Sequence, residues 1–185
     1  YAYMEAQHVR LAADRRRLQE ETFFGQEKKP LSYLLGVMNA VLHGIEDPRI
    51  LRKNTLSDNV RTFNERDRYH VILTNPPFGG TENVDAIRAN FPYPSSATSI
   101  LFIQHIMKRL RRDGRCGLVI DEGVLFKTAE SAYVDTKREL LDEYNLSAVV
   151  SLPAGVFANV VASGTGPKTD LLFFDHLGPT QQVWY

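Results

Sequence analysis

The chain has 185 residues, and its 22 Lys and Arg residues balance 22 Asp and Glu residues, so the formal net charge is zero. This length suits one soluble domain able to bury a core, and the even charge excludes the overall basic excess that by itself would indicate a nucleic-acid partner. The lone cysteine, Cys116, excludes a disulfide framework, and no apolar run approaches the ~20 residues that span a bilayer, so we expect a reducing, cytoplasmic setting without membrane contact.

In its first half the chain alternates segments of helical period with short apolar runs. Residues 2–20 predict one helix with a charged outer face, and residues 22–27 predict a buried strand. Pro30 suits the first turn of a helix, and Gly44 suits its end. Between them, apolar residues recur at helical spacing, namely Leu31, Leu34, Leu35, Met38, Val41 and Leu42. Residues 49–52 follow as a short candidate strand.

The second half repeats this alternation. Residues 69–74 predict a hydrophobic strand that ends abruptly at the sequence Asn75-Pro76-Pro77-Phe78. The elements predicted beyond it are a helix at 99–110, a strand at 116–120, a helix at 133–144, strands at 146–152 and 170–174, and the beginning of another strand at 182–185. This alternation predicts an α/β fold with a mostly parallel sheet.

The turn Asn75-Pro76-Pro77-Phe78 carries the sharpest chemical signal. It follows the carboxyl end of a predicted strand, where open α/β sheets bind their ligands. Each proline fixes its own φ and confines the preceding residue to extended backbone, so the Asn75 side chain and the Pro76 carbonyl become two preorganised acceptors. They could hold both N–H donors of an exocyclic amino group such as N6 of adenine, while Phe78 offers a flat face on which an extruded base could stack.

The other interpretation of this tetrapeptide is a proline turn that merely ends the strand, with Phe78 in the core. A rigid double-proline turn that ends on an aromatic residue is a poor choice for simple loop closure. We therefore predict Asn75, Pro76, Pro77 and Phe78 as catalytic residues.

Two polar side chains follow the earlier predicted strands. Glu27 precedes a helix, and its carboxylate could accept hydrogen bonds from both ribose hydroxyls of a nucleoside cofactor. On its own this signal is weak, because the helix dipole also favours an exposed carboxylate at that place. Asn54 could hydrogen-bond an adenine ring, and Asp58 is a rival four residues later. An Asn in an ordinary turn is an equally good interpretation of Asn54.

Two basic clusters offer phosphate contacts, but solvated helix faces explain them more simply. They are Arg15-Arg16-Arg17 and the group of Lys108, Arg109, Arg111, Arg112 and Arg115. The five histidines are scattered, with no pair at ligand spacing, so no metal site is predicted.

In these residues and in the blocks around them, the chain resembles the methylation subunit of type I restriction-modification systems. The resemblance covers nearly its whole length. The matching blocks in the first half are Phe24-Gly25-Gln26-Glu27, Met38-Asn39 with Leu42-His43-Gly44-Ile45, Asn54-Thr55-Leu56 and Thr74-Asn75-Pro76-Pro77-Phe78-Gly79. Those in the second half are Phe102-Ile103-Gln104-His105, Asp113-Gly114-Arg115, Glu122-Gly123-Val124-Leu125-Phe126, Leu152-Pro153-Ala154-Gly155-Val156-Phe157 and Lys168-Thr169-Asp170-Leu171-Leu172-Phe173-Phe174. The later blocks separate this family from other Asn-Pro-Pro-aromatic enzymes, including protein glutamine methyltransferases.

The resemblance implies a Rossmann-like class I methyltransferase sheet with helices on both faces. It implies a site-specific DNA methyltransferase that moves a methyl group from S-adenosyl-L-methionine to N6 of a flipped adenine, with a specificity subunit and a restriction subunit as partners. By resemblance, Glu27 is the ribose-binding acid and Asn75 to Phe78 form the target-base site. Asn54 stands where many relatives have Asp, so either Asn54 or Asp58 remains a candidate for the cofactor adenine.

One feature of the family is absent from this sequence. No glycine-rich loop, which in the family cradles the methionine part of the cofactor, precedes Glu27, so we expect the first and central strand of the sheet to be missing. Residues 1–185 are then part of a catalytic domain, without its cofactor loop or any helical N-terminal domain, and inactive alone. Two other functions remain open, namely methyl transfer to a protein glutamine or to RNA, and a cofactor-free interaction module of the same fold.

Overall fold

The chain divides into two compact units, Tyr1–Asp58 and Asn59–Tyr185, in a computed structural model that describes residues 1–158 and 166–185. Both units contain helices and strands, which confirms the predicted α/β class. The strands fall into two sheets, one in each unit.

The first unit combines three helices with a two-stranded parallel sheet. The helices are α1 (Ala2–His8), α2 (Ala12–Glu20) and α3 (Pro30–Leu42), and the strands are β1 (Phe24–Glu27) and β2 (Arg49–Arg52). The strands pair in register from Phe24 opposite Arg49 to Glu27 opposite Arg52. No residue of α3 is buried, although its apolar side chains recur at helical spacing. The apolar side of α3 therefore contributes little to the core of this unit.

The second unit is built on a four-stranded mixed sheet. Its strands are β3 (Tyr69–Thr74), β4 (Leu110–Asp121), β5 (Asn145–Ser151) and β6 (Thr169–Asp175), in the spatial order β3-β4-β6-β5. The strands β3 and β4 are parallel, whereas β6 runs antiparallel to both β4 and β5. The carboxyl ends of β3 and β4 therefore lie at one edge of the sheet, here called the carboxyl edge, and their amino ends lie at the opposite, amino edge.

Two long helices cover one face of this sheet, and two short ones lie in the connections. The long helices are α5 (Thr98–Arg109) and α7 (Ser131–Glu143), and the short ones are α4 (Val84–Ile87) and α6 (Gly123–Phe126). Buried side chains of α5 and α7 meet alternate residues of the strands, among them Leu118, Leu172 and Phe174, in one apolar core. Tyr144, which follows α7, donates from its hydroxyl to the Met107 carbonyl at 2.7 Å. This core fixes the strand ends that carry the candidate site.

Residues 2–20 form two helices, so the prediction of one continuous helix was wrong. The Asp14 carboxylate accepts hydrogen bonds from the backbone N–H groups of Arg10 and Leu11, at 3.0 and 2.9 Å. These bonds stabilise a new helix start and hold the pKa of Asp14 below its usual range. The charged outer face continues across the break, which is why the pattern predicted one helix. Charge periodicity does not show where a local cap begins a new helix.

The sheet is mixed rather than mostly parallel, because β6 reverses direction. A run of apolar residues does not encode the direction of its strand, which is set by the connections and the packing. The strand β1, predicted to be buried, is exposed at Phe24 and half-buried beyond it. Residues 182–185 form no strand, and Trp184 makes only an isolated bridge to Ala148.

Candidate active site

The turn Asn75-Pro76-Pro77-Phe78 follows β3 directly at the carboxyl edge of the four-stranded sheet. Pro76 is buried, Phe78 is half-buried, and Asn75 and Pro77 are exposed. Across the described ranges 1–158 and 166–185, the Asn75 side chain makes no hydrogen bond. The amide of Asn75 is therefore accessible on a backbone that two prolines restrict.

The backbone beyond Phe78 is tied to the start of α5. Gly79 and Gly80 have φ angles of +70° and +93°, which side-chain-bearing residues rarely adopt. The Thr98 hydroxyl donates to the Gly79 carbonyl at 2.6 Å, and the Thr98 N–H donates to the Gly80 carbonyl at 3.3 Å. The positive φ of Gly80, rather than lack of space for a Cβ, favours glycine there. The turn is thus held at both ends, by β3 and by α5.

The inner side of the turn packs on the end of β4. A narrow space of about 10 Å³ is enclosed by Pro76, Pro77, Phe78, Ser99, Val119, Ile120 and Asp121. This space holds about one water molecule. This space is too small for a planar group the size of a nucleobase.

Phe157 brings a second aromatic ring to the turn. Its ring centroid lies 5.1 Å from that of Phe78, with the planes inclined by 60°, and it belongs to the segment that follows β5. The sequence analysis quoted this residue within a family block but did not identify it as a site residue. The sequence signal for this residue was an aromatic side chain in a loop that follows a predicted strand. That strand, β5, ends at the carboxyl edge of the sheet.

Glu27 and Asn54 lie at one edge of the two-stranded sheet of the first unit. Glu27 ends β1 opposite Arg52, and its backbone carbonyl accepts from the Lys53 N–H at 3.1 Å, one residue before Asn54. The Glu27 carboxylate accepts from the Lys29 N–H at 2.7 Å, which orients it at the end of the strand. The structure therefore brings these two predicted cofactor residues together.

Asn54 and Asp58 have different local roles. The Asn54 side chain accepts from the Leu56 N–H at 3.2 Å and caps a short 3-10 turn. The Asp58 carboxylate forms an ion pair with Lys53 and accepts from the Gln26 side chain at 3.4 Å. Both side chains are therefore engaged within the fold, and Asn54 and Asp58 both stay candidates for the cofactor adenine.

The basic clusters are used within the fold. Arg15 pairs with Glu5 and Arg16 with Glu20, each at 3.1 Å, on exposed helix faces. In the second unit, Lys108 pairs with Glu139, and the Arg109 guanidinium lies 4.0 Å from the Phe63 ring centroid. The exposed pairs of Arg15 and Arg16 agree with the interpretation of a solvated helix face. That interpretation is wrong for the second cluster, because Arg111, Arg112 and Arg115 lie on β4.

A larger cavity lies at the amino edge of the four-stranded sheet, away from the turn. Its volume is about 390 Å³, and its lining residues are Arg68, Tyr93, Met107, Lys108, Leu110, Glu139, Glu143, Tyr144 and His176. Ligands of open α/β sheets bind at the carboxyl ends of the strands, so this cavity is not the candidate active site. Among the described residues, no cluster of His, Cys, Asp or Glu has metal-binding geometry, and no helix is long and apolar enough to cross a membrane.

The exposed Asn-Pro-Pro-Phe turn thus lies at the carboxyl edge of an α/β sheet, where proteins of this fold class bind their ligands. Residues 3–185 match the N-6 DNA Methylase family, and the chain belongs to it. The chain is 39% identical to the type I restriction enzyme EcoEI methylase subunit of Escherichia coli, over 100% of this chain and 36% of that protein.

Solved structures agree with this family. The chain superposes on a structure of a type I R-M system described for its complex assembly and conformational transition, with a TM-score of 0.88, 48% identity, and coverage of 100% of this chain and 37% of the other. A modification subunit of a type I restriction enzyme from Vibrio vulnificus YJ016 gives a TM-score of 0.85, 41% identity, and coverage of 97% and 38%. The chain therefore spans just over a third of the length of these relatives.

Proposed function

We propose that this chain is the catalytic part of a site-specific DNA methyltransferase that transfers a methyl group from S-adenosyl-L-methionine to N6 of adenine, within the modification subunit of a type I restriction-modification system. The observation that carries the proposal is the exposed Asn75 amide on a turn fixed by β3, by two prolines and by Thr98. The relatives named above are restriction-system methylase subunits, which supports the same substrate class.

The Asn75 side chain and the Pro76 carbonyl orient the amino group of the target adenine. The amino nitrogen of adenine is a poor nucleophile, because its lone pair is delocalised into the ring. Two acceptors that each take one N–H direct that lone pair out of the ring plane, toward the methyl donor. No titrating side chain is required, since the proton is lost after the nitrogen has become positively charged. The turn therefore acts by preorganised geometry.

Phe78 and Phe157 provide the surface for the base. An adenine taken out of the duplex loses its stacking partners, and an aromatic face on the protein replaces part of that interaction. Phe157 stands against Phe78 and limits how far the base can slide across it. The base then presents its amino edge to Asn75.

Glu27 and Asn54 fit the nucleoside end of the cofactor. A carboxylate oriented at a strand end accepts both hydroxyls of a ribose, and an amide side chain nearby can pair with an adenine edge. When bound, the cofactor supplies an electrophilic methyl group. Within residues 1–26 the only glycine is Gly25, so the residues that would hold the methionine end are not among those preceding Glu27.

The proposed partners are those of the type I restriction systems to which the relatives named above belong. The net charge of zero gives little long-range attraction to DNA, so sequence recognition and most of the phosphate contacts come from the specificity subunit. The restriction subunit completes the proposed complex. A location in the cytoplasm, where the DNA lies, completes the proposal.

The test is a methylation assay with the full-length protein and its specificity subunit. Isotopically labelled S-adenosyl-L-methionine is offered with duplex DNA, with a structured RNA and with a glutamine-containing protein substrate, and the products are identified by mass spectrometry. We expect N6-methyladenine in DNA alone. Methylglutamine or methylated RNA without methylated DNA would replace the proposal with the second function, and no transfer with any substrate would support an interaction module.

A further inference from the structure

Phe126 is a large apolar side chain that the fold leaves in solvent beside the candidate site. It ends α6, the short helix that follows β4 at the carboxyl edge, and 72% of it is exposed. Single exposed apolar residues are common on protein surfaces, so exposure alone indicates nothing. What distinguishes Phe126 is its position and the backbone that presents it.

The backbone on both sides of Phe126 is fixed by one lysine. The Lys137 ammonium donates to the Leu125 carbonyl at 2.8 Å and to the Lys127 carbonyl at 2.7 Å. The Lys127 N–H also donates to the Gly123 carbonyl at 3.0 Å. Partial burial of Lys137 lowers the pKa of its ammonium. An ammonium held by two carbonyls makes the exposed ring part of a rigid turn.

This turn is coupled to the wall of the candidate active site. The Asp121 carboxylate accepts from the Gly123 N–H at 2.7 Å and thereby begins the turn that ends at Phe126. Asp121 also lines the narrow space under Pro76, Pro77 and Phe78. The turn that carries Phe126 begins at the carboxyl end of β4, and the proposed base-binding turn packs against that same strand end.

We propose that Phe126 enters the base stack of the duplex and fills the space that the target adenine leaves when it is extruded. The inference rests on the proposed function. Extruding a base removes stacking from its two neighbours and leaves an apolar gap, and an inserted apolar or aromatic side chain fills such a gap. A ring on a preordered turn loses little freedom on insertion.

The experiment compares two DNA substrates with the full-length protein and its specificity subunit. In one the target adenine is paired, and in the other it lies opposite an abasic position and is already unstacked in part. The variants are Phe126→Ala, Phe126→Trp and the control Leu177→Ala, whose side chain is also 72% exposed but follows β6 at the amino edge. Single-turnover methylation and circular dichroism are measured for each.

We expect Phe126→Ala to lower methylation of the paired target about 10- to 100-fold and that of the unpaired target no more than about threefold, because an adenine without a pairing partner costs less to extrude and depends less on the ring that fills its place. Phe126→Trp should restore the paired reaction, and Leu177→Ala should match the wild type on both substrates. Equal losses on both substrates, or no loss on the paired one, overturn the inference. A thermal destabilisation by Phe126→Ala with normal methylation shows instead that a protein segment covers the ring. Failure of the wild type on both DNAs refutes the proposed function itself.

Discussion

The two units of the chain differ in how they use their apolar residues. In Asn59–Tyr185, side chains of α5, α7 and the four strands form one buried core. In Tyr1–Asp58, α3 has no buried residue, and its exposed side chains include Leu34, Leu35 and Leu42. The same helical periodicity therefore produces a core element in one unit and an open apolar surface in the other. Periodicity predicts a helix, but the burial of that helix depends on what packs against it.

The largest expected effect comes from truncating one apolar side chain in the buried core and comparing it with the same truncation on the exposed face of α3. Phe174→Ala, at a residue that is 2% exposed, should lower the free energy of unfolding by about 3–5 kcal/mol, because it leaves a cavity in the core. Leu35→Ala, at a residue that is 56% exposed, should change it by less than about 1 kcal/mol. Urea denaturation of this 185-residue chain, followed by circular dichroism, measures both. A cost for Leu35→Ala equal to that for Phe174→Ala would contradict the open surface on α3.

The next test separates the proposed catalytic role of the second unit from the proposed cofactor role of the first. In the full-length protein, Asn75→Ala should reduce methyl transfer by about 10²–10³-fold or more, because one preorganised acceptor at the reacting nitrogen is lost. Cofactor affinity and folding should remain close to those of the wild type. Single-turnover methylation measures methyl transfer, and calorimetry measures cofactor affinity.

Two further variants serve as controls for Asn75→Ala. Asn75→Asp keeps an acceptor oxygen and should retain more activity than the alanine variant. Glu27→Gln should weaken cofactor binding while methylation at saturating cofactor is largely preserved. If Asn75→Ala methylates DNA within a few-fold of the wild type, the turn is only the end of a strand.

A smaller effect is expected at Phe78. Phe78→Ala should weaken capture of the extruded base by about 1–3 kcal/mol, which is the contribution of one base-aromatic stack. Phe78→Tyr should restore binding, whereas Phe78→Leu, which keeps the volume but lacks the flat face, should not. Fluorescence of 2-aminopurine at the target position reports extrusion. Full function of Phe78→Leu would show that packing rather than stacking explains this residue.

The last effect is confined to alkaline pH and concerns the stability of the core in the second unit. Burial raises the pKa of the Cys116 thiol to about 12, from a usual value of 9.0. Between these values the unfolded chain loses its thiol proton and the folded chain keeps it, so the contribution of Cys116 to stability is complete below pH 9 and is lost as the pH rises toward 12. Cys116→Ala should flatten this part of the stability curve. Rapid labelling of native Cys116 by a thiol reagent at pH 8 would argue against its burial.

The sequence by itself determined the local features of the proposed site. Proline restricts the backbone wherever it occurs, so the turn after Thr74 could be placed at the end of β3 without any tertiary information. Helical spacing located α3, α5 and α7 to within a few residues, and alternation of elements indicated the α/β class. The carboxyl-edge position of Asn75 followed from its place directly after a strand.

Only the tertiary structure decided which distant residues support these local features. The approach of Phe157 to Phe78, the hydrogen bond from Thr98 to Gly79, and the reversed direction of β6 depend on how the chain packs. The ion pair of Asp58 with Lys53 is a similar case. Backbone restriction and periodicity are properties of neighbouring residues, whereas contacts between distant segments follow from the free energy of the whole fold, which no single segment encodes.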